Sequence, residues 1–361
     1  MPHAPSPSNR LGLNYRDAAM ALGPPPVRII DVHTHLRGAH ATRIYQDAAQ
    51  HFGVSHTWSM TPLADVDTVR SVLGNTVSFI AVPNFRDDAF AHAMGPGFLE
   101  AIGAFHARGA RIVKFWSAPR ATTMAREAGC DDLMSLDGPW RQRQMRAACD
   151  LGMSIMTHVA DPDTWFATRY TDRAAYGSKA DQYAPLERAL RAFPVPWIAA
   201  HMGGWPEDLD RLDALLDRHP NLYFDTSATK WMVRELSRHD RGALIAFLTR
   251  WSGRILFGSD IVAQEEHVSD ASDGRGRSDQ AASEREAFDL YASRYWALRT
   301  LLETEWSGES PIADPDLERV DPDRFGPMDA PPLIGKSVPP ELLTTLYRGA
   351  AEAFTQGPVA G

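Results

Sequence analysis

Short apolar runs alternate along this chain with longer stretches in which apolar residues recur at helical spacing. A run of four to eight apolar residues suits a strand buried on both faces, and a helical stretch between two such runs supplies the crossover that parallel strands need. The runs predict strands at Val27 to His33, Ser55 to Met60, Val77 to Val82, Arg111 to Phe115, Ser154 to His158, Trp197 to His201, Leu222 to Asp225 and Arg254 to Phe257. Between them, Gly97 to Arg108, Pro139 to Leu151 and Pro206 to His219 read as helices, the last with Leu209, Leu212, Leu215 and Leu216 on one face. Eight strands with crossovers predict an α/β fold, a single-domain (β/α)8 TIM barrel. The second strand is the most polar, with Ser55, His56 and Thr57 in sequence.

Residues 1–26 read as a Pro-rich N-terminal leader and 27–361 as the barrel. Two stretches break the repeat: one near 268–286, rich in Ser, Asp and Gly, and one near 307–340, rich in Pro and Asp. Both are expected to be long loops, the first on the rim that follows the eighth strand. A helix from about Pro339 to Phe354 is expected to close the barrel.

Direction within the strands selects the candidate chemistry. In Ile29-Ile30-Asp31-Val32-His33-Thr34-His35 the two histidines are one residue apart, so they leave the strand on the same side. At the C-terminal mouth of a barrel that side is the active site, and two imidazoles there make half of a zinc-type site. His158, His201 and Asp260 each close another apolar run. Five metal-type side chains at strand ends are hard to explain as packing, whereas His40, His51, His56, His92, His106, His219, His239 and His267 fall mostly in expected helices and loops and read as structural or solvated. Of these, His56 lies on the doubtful second strand.

With these residues in place the chain resembles the amidohydrolase superfamily, in particular the amidohydrolase-related group that includes aminocarboxymuconate semialdehyde decarboxylase. The resemblance rests on His33-x-His35, His158, His201 and Asp260 in that order, with Ala200-His201-Met202-Gly203-Gly204, Asn221-Leu222-Tyr223-Phe224-Asp225 and Phe257-Gly258-Ser259-Asp260 around them. It implies one divalent metal held by His33, His35, His158 and Asp260, with His201 and Asp260 catalytic. Zinc suits that ligand set, and manganese, iron or cobalt fit it as well. In binuclear relatives a carbamylated lysine bridges two ions. Lys114, at the end of the fourth run, is the residue that could do so, the alternatives being a partner for a substrate carboxylate or an ordinary strand-end lysine. Arg37, Arg120, Asp161 and Asp225 are candidate substrate-binding residues near strand ends, with Trp116, Trp165, Trp205 and Trp231 as a candidate aromatic wall.

The function expected on these grounds is hydrolysis of a C–N or C–O bond in an amide, lactone or ester of a small molecule. Non-oxidative decarboxylation of a carboxylated aromatic or enol-type acid is the alternative, and a non-catalytic barrel subunit the third reading. The composition is that of a folded protein, 44% hydrophobic and 23% charged. A formal charge of -9 and a pI near 5.8, without any basic run, speak against nucleic acid and anionic membranes as partners. With neither a signal-like start nor an apolar stretch of membrane length, a cytoplasmic location is expected. Cys130 and Cys149 have neither the number nor the spacing of a disulfide framework. A homodimer is expected from the resemblance, and no residue of the chain demonstrates it.

Overall fold

The structure, a computed structural model, describes residues 5–268 and 280–356. Its strands are β1 (Ile29–Leu36), β2 (Val54–Ser59), β3 (Val77–Ala81), β4 (Ile112–Trp116), β5 (Ser154–His158), β6 (Trp197–Ala199), β7 (Leu222–Asp225), β8 (Ile255–Leu256), β9 (Ile261–Ala263) and an antiparallel pair, β10 (Ser307–Glu309) and β11 (Pro332–Ile334). Each of the eight expected strands is present, with ends displaced by up to three residues. The described residues gather into two compact units.

The first unit takes in the described parts of Met1–Ser59, Asp67–Val77 and Thr226–Gln356. Here β1 pairs in parallel with β2 on one side (Ile30 opposite His56) and with β9 on the other (Thr34 opposite Ile261). Seven of the eight residues of β1 are buried, as expected of a strand flanked by parallel neighbours. The helix Glu284–Glu303 packs beside the helix Ala39–His51 and is buried around most of its circumference. Ser283 starts it by accepting from the Glu286 N–H. The closing helix runs from Pro340 to Gln356 and contains a π turn at Thr345–Gly349. The Leu346 carbonyl within that turn accepts the Phe257 N–H at 3.0 Å and so ties the end of β8.

Three stretches of this unit refine the sequence reading. The Pro-rich leader holds a helix, Tyr15–Leu22, capped by Asn14, whose side chain accepts from the N–H groups of Arg16 and Asp17. Tyr15 is buried and donates its hydroxyl to the Ser8 carbonyl at 2.9 Å. Of the first expected loop, residues 269–279 lie outside the described residues, and the helix Glu284–Glu303 begins inside its far end. The second, near 307–340, contains β10, β11 and the helix Pro315–Val320.

The second unit takes in Met60–Val66 and Ser78–Asp225. Strands β3, β4, β5, β6 and β7 lie side by side in sequence order, all parallel, with Lys114 opposite Met156, Trp116 opposite His158 and Thr157 opposite Ala199. Crossover helices include Pro96–Ala107, Pro119–Glu127, Pro139–Asp150, Tyr183–Ala192 and Leu209–Arg218. Three of them open on proline, whose fixed φ suits a first turn and whose missing N–H costs nothing there. In Leu209–Arg218 the expected apolar face is buried at Leu212, Leu215 and Leu216. Asp208 caps it through the Arg211 N–H, so it starts three residues later than the sequence pattern predicted.

Candidate metal centre

The first half of the site grows from one strand. His33 and His35 leave β1 on the same side, their ring centroids 5.7 Å apart. Asp260 follows the β8 run, and its N–H donates to the His33 carbonyl at 2.8 Å. Its backbone turns left-handed, with φ at 60°, a conformation that costs a non-glycine residue about 1–3 kcal/mol and is kept where the side chain must be aimed. Asp260 Oδ1 lies 3.5 Å from His33 Nε2 and 3.3 Å from His35 Nε2. Donors each about 2.1 Å from one tetrahedral ion stand roughly 3.4 Å apart, so these spacings are the edges of a ligand tetrahedron. One donor atom from each of the three residues falls within 4.8 Å of the other two. His33 is buried, while the His35 and Asp260 side chains keep 34% and 25% exposure, so the group opens outward.

Buried groups behind this triad fix its geometry. His33 Nδ1 lies 3.0 Å from the Ser227 hydroxyl. With that nitrogen donating to Ser227, Nε2 carries the lone pair that a metal takes. Asp31, also buried, accepts at Oδ1 from the N–H groups of His33 and Ser259, both at 3.1 Å. Its Oδ2 accepts from the hydroxyls of Ser259 at 2.6 Å and Tyr295 at 2.8 Å. Burial pushes the Asp31 carboxyl up to about 7, and these hydrogen bonds oppose the shift. One carboxylate therefore ties the strand that carries both histidines to the turn that carries Asp260.

The second unit carries a second cluster. His158 ends β5 with Nε2 3.0 Å from Asp161 Oδ1, and the Tyr170 hydroxyl donates to Asp161 Oδ2 at 2.6 Å. His201 stands edge-on to His158, with centroids 4.5 Å apart. β6 stops at Ala199, two residues before His201, because the chain turns left-handed there (φ 60° at His201, 50° at Met202). Asp225 at the end of β7 holds that turn by accepting the His201 N–H at 2.8 Å. The Gly203-Gly204 pair completes it. A Cβ on Gly204 would stand 2.4 Å from the Ala160 carbonyl oxygen, and its φ is already 78°. Lys114 is buried on β4.

The remaining candidates scatter. Arg37 directly follows β1, half-buried, with its backbone N–H on the Ala263 carbonyl. Arg120 is exposed in the first turn of Pro119–Glu127. Trp116 lies 6.4 Å from His158, Trp165 is under the Arg169 guanidinium, and Trp205 packs on Tyr183 and under Arg211. His56 is half-buried on β2, its pKa lowered by burial and by Arg348. Both cysteines are free thiols. The sequence reading had no signal for Ser227, Tyr170 and Tyr295, whose roles arise from long-range partnerships. Asp31 and Ser259 stood inside quoted motifs without a role.

Histidines and carboxylates thus stand at strand ends in each unit, and the His33, His35 and Asp260 group could hold a metal ion. Residues 30–288 match the amidohydrolase family, and the chain belongs to it. The match spans both compact units, which are parts of one enzyme of the (β/α)8-barrel class. No curated protein is significantly similar to the chain. Similar solved structures include an unliganded Agrobacterium tumefaciens protein (9% identity, TM-score 0.45, covering 84% of this chain and 98% of that one). An amidohydrolase from Burkholderia multivorans with bound HEPES is 14% identical (TM-score 0.43, covering 91% and 99%). The 5-carboxyvanillate decarboxylase of Novosphingobium aromaticivorans, solved with manganese and 4-hydroxy-3-methoxy-5-nitrobenzoic acid, is 13% identical (TM-score 0.31, covering 76% and 96%). Among the described residues no helix is long and apolar enough to cross a membrane.

Proposed function

We propose that this enzyme is a metal-dependent hydrolase that cleaves a C–N or C–O bond in an amide, lactone or ester of a small molecule. The observation that carries the reading is the spacing of His33 Nε2, His35 Nε2 and Asp260 Oδ1, which fits three corners of one metal's coordination shell. His158 is the proposed fourth ligand, on the strength of the family resemblance, and its Nε2 faces Asp161. A divalent ion, zinc first and manganese, iron or cobalt as substitutes, supplies Lewis acidity and brings the pKa of a coordinated water toward neutrality. Asp260 would accept the water proton and return it to the leaving group, and His201 would polarise the scissile carbonyl. The backbone of His201 is fixed for that task by Asp225.

One observation favours a second reading. Lys114 is buried on β4, a place from which a lysine could face a substrate carboxylate in a decarboxylase. Zinc-loaded protein incubated with p-nitrophenyl esters, lactones, amides and hydroxylated aromatic acids separates the two. Hydrolysis lost in His33→Ala supports the first, whereas carbon dioxide release without any hydrolysis would replace it with the second. Turnover that survives both His33→Ala and chelation would overturn both.

A further inference from the structure

We infer that Tyr295 is a positioning residue of the metal centre, the end of a row of buried hydroxyls that aims the Asp31 carboxylate and so sets the spacing of His33 and His35 from Asp260. The inference rests on the metal-dependent reading above and extends it to residues outside the ligand set.

The starting point is a hydroxyl in an apolar place. Tyr295 is buried on the helix Glu284–Glu303, its ring 6.2 Å from that of Phe52 and 6.4 Å from that of Tyr45. A phenylalanine would supply the same ring packing, and a buried hydroxyl is unfavourable unless it is hydrogen-bonded. The Tyr295 hydroxyl donates to Asp31 Oδ2 at 2.8 Å. A phenol has one proton, so the Tyr45 hydroxyl, 2.9 Å away on the helix Ala39–His51, must donate to Tyr295. By the same count Thr57 of β2, 2.8 Å from the Tyr45 oxygen, must donate to Tyr45. All three side chains are buried, and their hydroxyls point one way, toward Asp31.

Asp31 converts that row into metal geometry. Its carboxylate takes four donors: the N–H groups of His33 and Ser259 at Oδ1, and the hydroxyls of Ser259 and Tyr295 at Oδ2. Three of the four belong to the strand that carries both histidines and to the turn that carries Asp260, so they move with the groups they join. Tyr295 is the donor from outside. Its helix is tied down at other points, where Asp289 accepts from Asn9 and Tyr291 meets His267. Removing the Tyr295 hydroxyl therefore leaves the helix in place and Asp31 with three bonds, but the carboxylate gains freedom to turn and the strand to tilt against the turn. Asp260 Oδ1 stands 3.5 Å from His33 Nε2 and 3.3 Å from His35 Nε2. Donor distances at a metal tolerate only about 0.2 Å, so a slight tilt weakens the site and changes its shape.

Cobalt(II) is the probe, because its visible absorption bands report coordination geometry as well as occupancy. The metal-free full-length protein is titrated with cobalt as wild type, Tyr295→Phe, Tyr45→Phe and Tyr15→Phe. The last is the control: it removes an equally buried phenol hydroxyl, one that donates to the Ser8 carbonyl instead. Tyr295→Phe is expected to bind cobalt about tenfold more weakly and with shifted bands, and Tyr45→Phe to change both less and in the same direction. Tyr15→Phe should match the wild type in both, whatever it loses in stability. If Tyr295→Phe fails to fold, the Tyr45→Phe comparison decides. Wild-type affinity and bands in Tyr295→Phe would overturn the inference and leave the metal reading standing, as would an equal change in Tyr15→Phe, which would show general loosening. A wild type that takes up no cobalt would overturn the metal reading and the inference with it.

Discussion

His158 is held by a chain of short contacts, Tyr170 to Asp161 to imidazole, of 2.6 and 3.0 Å. Such outer partners fix ring orientation and tautomer, and their loss commonly costs a metal site about 10–100-fold in affinity. Asp161→Ala is therefore expected to weaken zinc binding by about that factor in a chromophoric competition assay, with Tyr170→Phe having a smaller effect in the same direction. Unchanged affinity in both would remove His158 from the ligand set. A different residue tests the electrostatics of the interior. Burial and the neighbouring Asp150 push the Cys149 thiol up to about 11. Because the pKa is raised, the reactive thiolate is scarce below it and grows about tenfold with each pH unit up to it. In a Cys130→Ser background, alkylation of Cys149 by iodoacetamide should keep accelerating from pH 8 to pH 10. A plateau near pH 9 would show an ordinary, solvent-like thiol.

At the scale of elements, the site depends on how strands end. Gly204→Ala places a Cβ 2.4 Å from the Ala160 carbonyl, whereas Gly129, also left-handed with φ 72°, has nothing within 4 Å of its position. Gly129→Ala should cost about 1 kcal/mol of stability from backbone strain alone and Gly204→Ala measurably more, by denaturant midpoint at constant slope. Equal losses would mean that the turn after β6 relaxes freely. Much of this architecture was legible in the chain, because buried parallel strands are written as uninterrupted apolar runs and β1 announces its direction by a His-x-His pair. Their ends were less legible. β6 appeared to reach His201, but a left-handed turn ends it at Ala199, and no local residue type marks that turn ahead of Gly203. β9 was hidden because Gly258-Ser259-Asp260 breaks the run into two short pieces. The helix Tyr15–Leu22 was masked by surrounding prolines, although Asn14 with Asp17 is a start signal. Ser227 could not have been paired with His33, 194 residues away, without the fold.

For the molecule as a whole, a metal that binds the folded chain alone must stabilise it. At a free zinc concentration a hundredfold above Kd the gain is about 2.7 kcal/mol. Thermal unfolding should therefore shift downward on chelation and recover on adding zinc back, while a His35→Ala protein should respond to neither. An identical midpoint with and without chelator in the wild type would contradict a resident metal. The most direct test is elemental analysis of purified protein, wild type beside His33→Ala. About one zinc or manganese per chain is expected in the wild type and almost none in the mutant. Two ions per chain would draw Lys114 into a bridging role, and a wild type free of metal after growth with zinc and manganese supplied would contradict the central claim.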